Sequence, residues 1–392
     1  MDPLPELARR HKDVIVEWRR SLHRIPELAY DEVKTSGLIA DILEELDLKV
    51  SEGVGGTGVV AVLKGSKPGK VVALRADMDA LPLEERTGLP FASVHEGRMH
   101  ACGHDSHMAM ILGAALVLKD LEAELPGQVK FIFQPAEEEG REGGAKPMIE
   151  AGVLKNPRVD YIFGLHVWSD LETGKIGYNG GALLASTDTF YITVKGRGGH
   201  GAKPHHTVDP IVTAAHLVVA LQTIASREAD PLEPFVLTVG KFEAGTVHNI
   251  IPSEAYLEGT LRTVTDRTRR GLRKRLDRIV AGITSSYRAE YELRIDEGYP
   301  ATINDPVVTQ RAVEILRDAF GGEAVVEVPP IMGGEDFSRY LHKVPGSFLV
   351  LGTRNEAKGL TSSIHSPHFQ VDEEVLPMGS ATMARLALDF CS

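Results

Sequence analysis

The sequence predicts an α/β protein: a discontinuous α/β domain that carries an inserted α+β domain of the ferredoxin-like type. Before residue 184 and again after Pro300, β-branched strands alternate with helical segments, which is typical of an α/β layer with a largely parallel sheet. In between, the order strand, helix, strand, strand, helix, strand is the βαββαβ arrangement. We therefore expect one domain over residues 1–183 plus 297–392 and the inserted domain over residues 184–296.

Apolar residues at helical spacing, β-branched runs and turn-forming residues predict the individual elements. In the first part these are helices over 6–22 and 34–46, two strands between 57 and 76 on either side of the turn-forming segment 66–69, a helix over 105–121, the strand VKFIF, a short helix near 143–151 and the strand YIFGLHV. In the inserted part they are a strand over 188–196, a helix over 207–226, strands over 235–243 and 254–264, a helix over 266–287 and a strand over 289–296. In the last part they are a helix near 305–319, strands near 323–328 and around Phe348–Val350, and a helix over 374–389.

The composition is that of an ordinary globular protein with an acidic balance of charge. Hydrophobic residues make up 43% and charged residues 25% of the 392 positions, which is enough apolar material for a sizeable core. The 43 basic and 55 acidic side chains give a formal net charge of -12, which argues against binding to nucleic acid or to an anionic membrane. No segment is apolar for long enough to be a signal peptide or a transmembrane helix, so we expect a cytoplasmic protein. The two cysteines, Cys102 and Cys391, are far apart, so we expect no disulfide framework.

Ionisable residues follow three apolar strands of the first part. VVALRA runs into Asp77 and Asp79, VKFIFQPA runs into Glu137–Glu139, and YIFGL runs into His166. In open α/β sheets, ligands bind in the crevice beyond the carboxyl ends of the strands, so these groups are expected to converge on a site. The alternative is that each carboxylate is a solvated loop residue, which is the commoner case for any single one of them.

The segment His100–His107, HACGHDSH, gathers a thiol, imidazoles and a carboxylate within one short stretch that precedes a predicted helix. Thiolate and imidazole together suit zinc and its neighbours in the transition series. No second pair of cysteines is present to close a structural zinc site, so the pattern favours a catalytic metal site with open positions. Two alternatives stay open at this point: Cys102 is a nucleophile activated by His104 or His107, or the segment is purely structural.

Several separated motifs follow one another along the chain: Leu74–Pro82 (LRADMDALP), His100–His107, Gln134–Glu138 (QPAEE), Gly164–His166 (GLH), Gly198–Ala202 (GGHGA), Asn249–Pro252 (NIIP), Gly334–Phe337 (GEDF) and His365. Together they resemble the M20 metallopeptidase family, in particular its amidohydrolase branch of aminoacylases, hippurate hydrolases, auxin-conjugate hydrolases and thermostable carboxypeptidases. The resemblance covers nearly the whole chain and implies that the inserted domain is a dimerisation lid.

The resemblance implies two divalent metal ions per subunit, with zinc as the first expectation and manganese, cobalt or nickel as alternatives. It makes Cys102 the thiolate that bridges the two ions, and Glu137 the general base that acts on a water activated by the metals. The remaining ligands that it implies are His104, Glu138, His166 and His365.

The resemblance also implies roles around the metals. Asp79 corresponds to a carboxylate that orients a ligand. His200 corresponds to an oxyanion donor, in the same subunit or in the partner subunit. Asn249, Arg262 and Gly334 are expected to bind substrate, with Arg262 as the clamp for a carboxylate. On the residues alone, the glycine-rich segment around His200 could be a hairpin turn, and Arg262 could be an ordinary exposed strand residue.

These expectations combine into a metal-dependent hydrolase that cleaves the amide bond of an N-acyl amino acid or the C-terminal bond of a short peptide. Its partners would be this small-molecule substrate and further copies of the chain, as a homodimer or homotetramer formed through the lid domain. A cysteine-nucleophile amidase is the second candidate, and it would resist chelators. A non-catalytic metal-binding or scaffold dimer is the third, and the apparently complete set of ligands plus a base disfavours it.

Overall fold

The structure is a computed structural model that describes residues 3–392. It contains two compact units: the first comprises the chain up to Leu183 together with Ile303–Pro329 and Asp336–Ser392, and the second comprises Leu184–Thr302 and Pro330–Glu335. The predicted fold class, a discontinuous α/β domain with an inserted α+β domain, is confirmed. None of the helices in the described residues has the length and apolar character needed to cross a bilayer.

The helices and strands are numbered in chain order. The helices are α1 Leu4–Arg10, α2 Lys12–His23, α3 Val33–Glu45, α4 His104–Asp120, α5 Ala145–Glu150, α6 Pro210–Thr223, α7 Asp266–Ser286, α8 Pro306–Phe320, α9 Ser338–Leu341 and α10 Leu376–Phe390. The strands are β1 Lys49–Val54, β2 Gly58–Lys64, β3 Lys67–Asp77, β4 Pro126–Gln134, β5 Tyr161–Glu172, β6 Ile176–Tyr178, β7 Ala182–Leu184, β8 Ser186–Lys195, β9 Gly199–His200, β10 Phe235–Ala244, β11 Ile250–Ile251, β12 Glu254–Thr263, β13 Glu290–Glu297, β14 Thr302–Ile303, β15 Val325–Glu327 and β16 Gly346–Arg354.

The first unit is built on an eight-stranded sheet with the strand order β1-β2-β4-β3-β5-β16-β6-β15. Its central strands β4, β3, β5 and β16 run parallel, whereas β1, β2 and β4 are joined by antiparallel pairs and β6 runs antiparallel to β16. The two runs on either side of residues 66–69 form β2 and β3, but these strands do not pair, because β4 lies between them. The carboxyl ends of β3 and β4 are therefore neighbours in the sheet.

Helix α4 is the central helix of the first unit. Its sequence, HDSHMAMILGAALVLKD, is apolar on all sides after the first turn, and this is typical of a helix that is buried all round. Fourteen of its 17 residues are buried, and it packs against α2, α10 and β3. This packing fixes the first turn of the helix, which carries His104 and His107.

The second unit contains an antiparallel four-stranded sheet in the order β10-β12-β8-β13, with α6 and α7 packed on it. In chain order its elements are strand, helix, strand, strand, helix, strand, as the sequence predicts. Asp209 caps the first turn of α6 by accepting from the N–H groups of Ile211 and Val212, and Pro210 occupies the first helical position. Thr265 caps α7 in the same way by accepting from the N–H of Thr268.

Candidate functional site

The five predicted metal ligands lie together in the first unit. Donor atoms of Cys102, His104 and His166 all lie within 4.8 Å of one another, and so do donor atoms of Cys102, Glu138 and His365. The two groups share Cys102, which is the geometry expected of a thiolate that serves two neighbouring cations. The 262 residues that separate the first of these ligands from the last in the sequence do not prevent this convergence, because the N–H of His365 donates to the main-chain oxygen of Ala101 at 2.8 Å.

His104, the first residue of α4, presents one ring nitrogen to the site. Its Nδ1 lies 2.8 Å from the main-chain oxygen of Asp79, which can only accept, so Nδ1 carries the proton. Its buried Nε2 has no hydrogen-bond partner among residues 3–392. Burial lowers the pKa of His104, but the carboxylates of Asp77, Asp79 and Glu138 outweigh burial and raise it to about 10. A buried ring nitrogen without a partner, facing a surplus of negative charge, fits a cation.

Cys102 lies between two imidazoles. Its Sγ is 3.4 Å from Nε2 of His166 and 3.3 Å from Nε2 of His365. Nδ1 of His166 donates to the main-chain oxygen of Val167 at 2.6 Å, which leaves Nε2 as the nitrogen that faces the thiol. Burial, reinforced by the nearby His107, lowers the pKa of His166 well below its usual value, so its imidazole is neutral, the form that binds metals.

Burial raises the pKa of the Cys102 thiol well above its usual value, and the charges of Glu138, Glu137 and Asp77 raise it further. A nucleophilic cysteine needs the opposite environment, in which cations or a helix N-terminus lower the pKa of the thiol. The surroundings of Cys102 therefore disfavour the cysteine-nucleophile alternative and favour a thiolate that forms only when a metal displaces its proton.

Three residues around the site have left-handed backbones. Gly103 has φ 89°, and a Cβ there would lie 2.3 Å from Cγ2 of Val167, so the turn between Cys102 and His104 requires glycine. Ala136 has φ 55° and His365 has φ 63°, a backbone region that residues with a Cβ rarely adopt. Backbone strain of this kind concentrates at functional sites, where the surrounding structure holds it in place.

The loop that carries Glu137 and Glu138 is held by two buried carboxylates. Oδ1 of Asp79 accepts from the N–H of Glu137 at 3.0 Å, and Oδ2 accepts from the N–H of Glu138 at 2.8 Å. Glu32 accepts from the N–H of Ala136 at 2.9 Å. Three successive amides are thus fixed, and the side chains of Glu137 and Glu138 leave the backbone from a defined position. Glu32 is not among the residues predicted from the sequence, because none of the motifs includes it.

His107 also lies near the site, and both of its ring nitrogens have protein partners. Nδ1 donates to Asp77 at 2.6 Å, and Nε2 accepts from the N–H of Val167 at 2.9 Å. Asp77 accepts in turn from Arg75 at 2.7 Å. The donor atoms of Asp77, His107 and His104 are close enough together to bind a metal ion. Both ring nitrogens of His107 already have hydrogen-bond partners, however, so we interpret His107 as a residue that holds the neighbouring side chains in place.

Arg75 joins the site to Asp336, the aspartate of the GEDF motif. Its guanidinium donates to Asp336 at 2.8 Å and to Gln134 at 3.0 Å, and all three side chains are buried. Asp336 also accepts from the N–H of Ala145 at 2.8 Å. Asp336 is therefore a structural connection within the first unit, a role that the sequence did not indicate.

One local expectation about His166 is wrong. The sequence places it at the end of a strand, but β5 continues six residues beyond it to Glu172. The extension is stabilised by β16, which pairs with β5 at His166, Trp168 and Glu172. The pairing of β5 with β3, by contrast, stops at Gly164, so His166 lies just past that contact and can still face the site.

In the second unit, His200 and Asn249 are neighbours. His200 pairs with Ile250 in the short β9–β11 ladder, and the main-chain oxygen of Asn249 accepts from the N–H of Gly201 at 2.8 Å. Nδ1 of His200 accepts from the N–H of Ala202 at 3.0 Å, so in the neutral ring the proton is on Nε2. The exposed His200 side chain can therefore donate a hydrogen bond from Nε2.

Arg262 and Gly334 also lie close together in the second unit. A Cβ on Gly334 would stand 2.2 Å from Cγ2 of Thr187 and 3.3 Å from Nη1 of Arg262, so only glycine fits there. No described residue forms a hydrogen bond or an ion pair with the half-buried guanidinium of Arg262. Burial lowers the pKa of Arg262, and the more distant Asp188 only partly offsets this. A half-buried guanidinium without a protein partner is suited to bind a carboxylate.

Comparisons with known proteins agree with this geometry. A model of Peptidase family M20/M25/M40 matches residues 73–389. The chain is 45% identical over 392 residues to Thermostable carboxypeptidase 1 of Saccharolobus solfataricus, covering 100% of this chain and 98% of the relative. It is 41% identical over 375 residues to N-acetylcysteine deacetylase of Bacillus subtilis, covering 95% and 96%.

Among solved structures, the YXEP protein of Bacillus subtilis, described as a dinuclear metal binding peptidase from the M20 family, matches with a TM-score of 0.85 and 38% identity over 98% of this chain and 99% of that one. A family model that spans most of the chain and relatives that cover its whole length confirm the resemblance seen in the motifs. The chain therefore belongs to peptidase family M20/M25/M40 and is a hydrolase of amide bonds.

Proposed function

We propose that this hydrolase uses two metal ions to release an amino acid from an N-acyl amino acid or from the C-terminus of a short peptide, with Glu137 as the general base. The observation that carries the proposal is the pair of donor groups that share Cys102. Glu137 belongs to a third group of donor atoms within 4.8 Å, with His104 and Glu138. The relatives named above act on a peptide C-terminus and on an N-acetyl amino acid, as their names state.

In this proposal five side chains would hold the metals, and Cys102 is common to both groups of donor atoms. Thiolate, imidazole and carboxylate ligands suit zinc first, with manganese, cobalt or nickel as alternatives. When bound, the two cations polarise the substrate carbonyl and lower the pKa of water to about 7. The five ligands are Cys102, His104, Glu138, His166 and His365.

Glu137 moves the proton. Its carboxylate takes a proton from the attacking water and later delivers it to the amine that leaves. Its neighbour Glu138 is committed to the metals, and Asp79 holds the backbone of both residues, so the base is presented from a fixed loop. The side chain of Glu137 is 6% exposed, which keeps bulk water away from the proton transfer.

The second unit supplies the remaining roles in the proposal. Nε2 of His200 donates a hydrogen bond to the oxyanion as charge develops on the carbonyl oxygen, and Arg262 clamps the carboxylate of the amino acid that is released. The absence of a side chain at Gly334 leaves room for a ligand beside Arg262, and Asn249 lies next to β9, the strand that carries His200. We assign residues 184–296 to a dimerisation lid and residues 1–183 plus 297–392 to the catalytic domain.

The chain is proposed to form a homodimer, or a tetramer of two dimers, through the second unit. Helix α6 is apolar on its outer face as well as its inner face, and it exposes Val212 and Val219. The neighbouring strand β10 is an edge strand that pairs only with β12. An exposed apolar helix beside an open strand edge is the kind of surface that a second copy covers.

Two measurements test the catalytic proposal. The first determines metal content by elemental analysis and then assays a panel of N-acyl amino acids and short peptides. Activity should be lost on dialysis against chelator and be restored by zinc, cobalt or manganese, whereas a cysteine nucleophile would survive the chelator. The second compares Glu137→Gln with wild type: the variant should keep two metals and lose turnover by about 10²–10⁴-fold. Near wild-type turnover in that variant would show that Glu137 is not the base.

The dimer proposal is tested by light scattering on a size-exclusion column. Val219→Glu places a charge on the exposed face of α6, where Val219 is 69% exposed, and should shift the protein towards monomer. Val307→Glu is the matched control, because Val307 is 78% exposed on α8 of the first unit. Equal masses for both variants and wild type would rule out this face as the interface.

A further inference from the structure

We propose that Glu32 is a positioning residue for Glu137. Its buried carboxylate fixes the left-handed backbone of Ala136, the first residue of the loop 136–138 that carries Glu137 and Glu138 and is called the catalytic loop below. The inference rests on the proposed role of Glu137 as the base. Glu32 lies at the start of α3, far in the sequence from the proposed metal ligands, and its side-chain hydrogen bonds go to Ala136 and Thr57.

The contacts of Glu32 connect the start of α3 to the loop. Oε1 accepts from the N–H of Ala136 at 2.9 Å, and Oε2 accepts from the hydroxyl of Thr57 at 2.5 Å. The side chain of Glu32 is 0% exposed, so water does not offer the Ala136 N–H an alternative partner. If this contact is lost, a buried main-chain donor is left unsatisfied, which the chain can avoid by moving the loop.

The backbone of Ala136 is the part of the loop that most needs holding. At φ 55° it is in the left-handed region, which is unfavourable for a residue with a Cβ. A free chain would relax out of this conformation, and Glu137 would then leave the backbone in another direction. Asp79 fixes the amides after Ala136, whereas Glu32 is the group that fixes the amide of Ala136 itself.

Glu32 is held at a cost to the fold. Burial raises its pKa to about 7, opposed by the hydrogen bond from Thr57 and reinforced by the charge of Asp79. No Lys, Arg or His among residues 3–392 forms an ion pair with it. Burying a carboxyl without a cation costs free energy, which its hydrogen bonds offset only in part. One of these hydrogen bonds is the contact with the backbone N–H of Ala136.

A nearby carboxylate provides a matched control. Glu27 lies in the same segment, is 6% exposed, and accepts from the N–H and the hydroxyl of Thr35 at 2.9 and 3.0 Å. It therefore supports the first turn of α3, and its carboxylate has no hydrogen bond to residues 136–138. A variant at Glu27 reports what the loss of a buried hydrogen bond in this segment does to the fold alone.

The experiment compares Glu32→Asp, Glu32→Gln and Glu27→Asp in the metal-loaded protein. Asp keeps the charge but is one methylene too short to reach Ala136, whereas Gln removes the charge and still offers an oxygen to Ala136 and an N–H₂ to Thr57. The readouts are hydrogen–deuterium exchange of the amides of residues 136–138, kcat and KM on a substrate that the wild type cleaves, and metal content.

We expect Glu32→Asp to exchange these amides about tenfold faster and to lower kcat by about tenfold, with KM and metal content within twofold of wild type. Glu32→Gln should stay within twofold of wild type in every readout. Glu27→Asp should lower the melting temperature without changing the loop exchange or kcat.

Three results would overturn the proposal: wild-type exchange and kcat in Glu32→Asp, equal effects of Glu27→Asp and Glu32→Asp, or a Glu32→Gln variant as impaired as Glu32→Asp. A failure of the proposed role of Glu137 looks different, since Glu137→Gln would then keep near wild-type turnover. The exchange measurement would still decide whether Glu32 fixes the loop.

Discussion

The carboxylate of Asp79 accepts a hydrogen bond from the backbone N–H of Glu138 at 2.8 Å, and its second oxygen accepts from the next amide towards the N-terminus. Both carboxylate oxygens of Asp79 thus accept hydrogen bonds from the main chain of the loop that carries Glu137 and Glu138. The main-chain oxygen of the same residue accepts from Nδ1 of His104. Asp79 therefore orients a proposed ligand on α4 and two carboxylates after β4, which are elements far apart in the sequence.

Asp79→Asn is expected to lower activity or metal affinity by about 10–100-fold, the usual range for groups that orient ligands. The amide side chain can turn an oxygen towards only one of the two N–H groups and would present its own N–H₂ to the other. The measurements are kcat and the metal concentration needed for half-maximal activity. Asp160→Asn is the control, because Asp160 accepts from the N–H of Val71 in the middle of β3, away from the site. If both variants lose activity equally, the effect is general destabilisation.

Comparing His104→Asn with His107→Asn distinguishes a proposed metal ligand from a residue that only holds its neighbours in place. Asn places its amide where Nδ1 of the imidazole lies and nothing where Nε2 lies. We expect His104→Asn to lose at least one of the two metals, because Nε2 is the nitrogen that faces the site. His107→Asn should keep both metals and lose about 1–3 kcal/mol of stability, because the N–H of Val167 loses its acceptor.

Elemental analysis after dialysis, together with urea unfolding, checks the pair. A His107→Asn variant that loses a metal while its fold is intact would make His107 a ligand and would contradict the assignment. Full metal content in His104→Asn would do the same for His104.

Lys130 is expected to stabilise the fold of the first unit. It lies on β4 and is 2% exposed, and its ammonium donates to the main-chain oxygens of Val153, Lys155 and Pro157 at 2.7, 2.7 and 2.9 Å. Lys130→Met keeps the length of the side chain but leaves three acceptors without a donor, so the free energy of unfolding should fall by about 2–4 kcal/mol.

Lys64→Met is the control for Lys130, because Lys64 is an exposed residue at the end of β2. Urea denaturation of both variants provides the comparison. A loss below about 0.5 kcal/mol in Lys130→Met, within the range of ordinary surface substitutions, would contradict the expectation.

The sequence predicted most elements and most of the site because those signals are local. Alternation and helical spacing predicted β8, α6, β10, β12, α7 and β13 in the right order. Cys102 and His104 could be identified because thiol and imidazole occur within three residues of each other, and Glu137 because it follows an apolar strand.

What the sequence could not show depends on contacts between distant segments. Cys102 and His365 are 263 positions apart, and only the family resemblance joined them before the structure did. Glu32 and Ala136 are 104 positions apart, and a lone glutamate at the start of a helix carries no local signal. The position of β4 between β2 and β3 likewise depends on pairing between distant segments. The local sequence around residues 66–69 indicates only two successive strands joined by a turn.

The second unit should lose stability in acid through Asp188. Burial raises the pKa of this carboxyl, but hydrogen bonds from Arg269 and Arg273, at 2.6 and 2.7 Å, outweigh burial and hold the pKa below its usual value. A carboxyl whose pKa is lower in the folded state contributes stability above its unfolded pKa of about 3.9, and the contribution is lost as pH falls through the folded pKa. The contribution is therefore complete at neutral pH and disappears below about pH 4.

Asp188→Asn should thus lower the free energy of unfolding by about 2–3 kcal/mol at pH 7, less than a fully buried pair because Arg269 and Arg273 are 12% and 21% exposed. The difference from wild type should shrink steadily between pH 5 and pH 3. Urea unfolding of chelator-treated protein measures this without a contribution from metal loss in acid. Glu292→Gln is the control, because Glu292 pairs with Lys195 on the surface of the same sheet, and it should stay within about 0.5 kcal/mol of wild type. A difference for Asp188→Asn that stays constant down to pH 3 would show that the two arginines do not depend on the charge of Asp188.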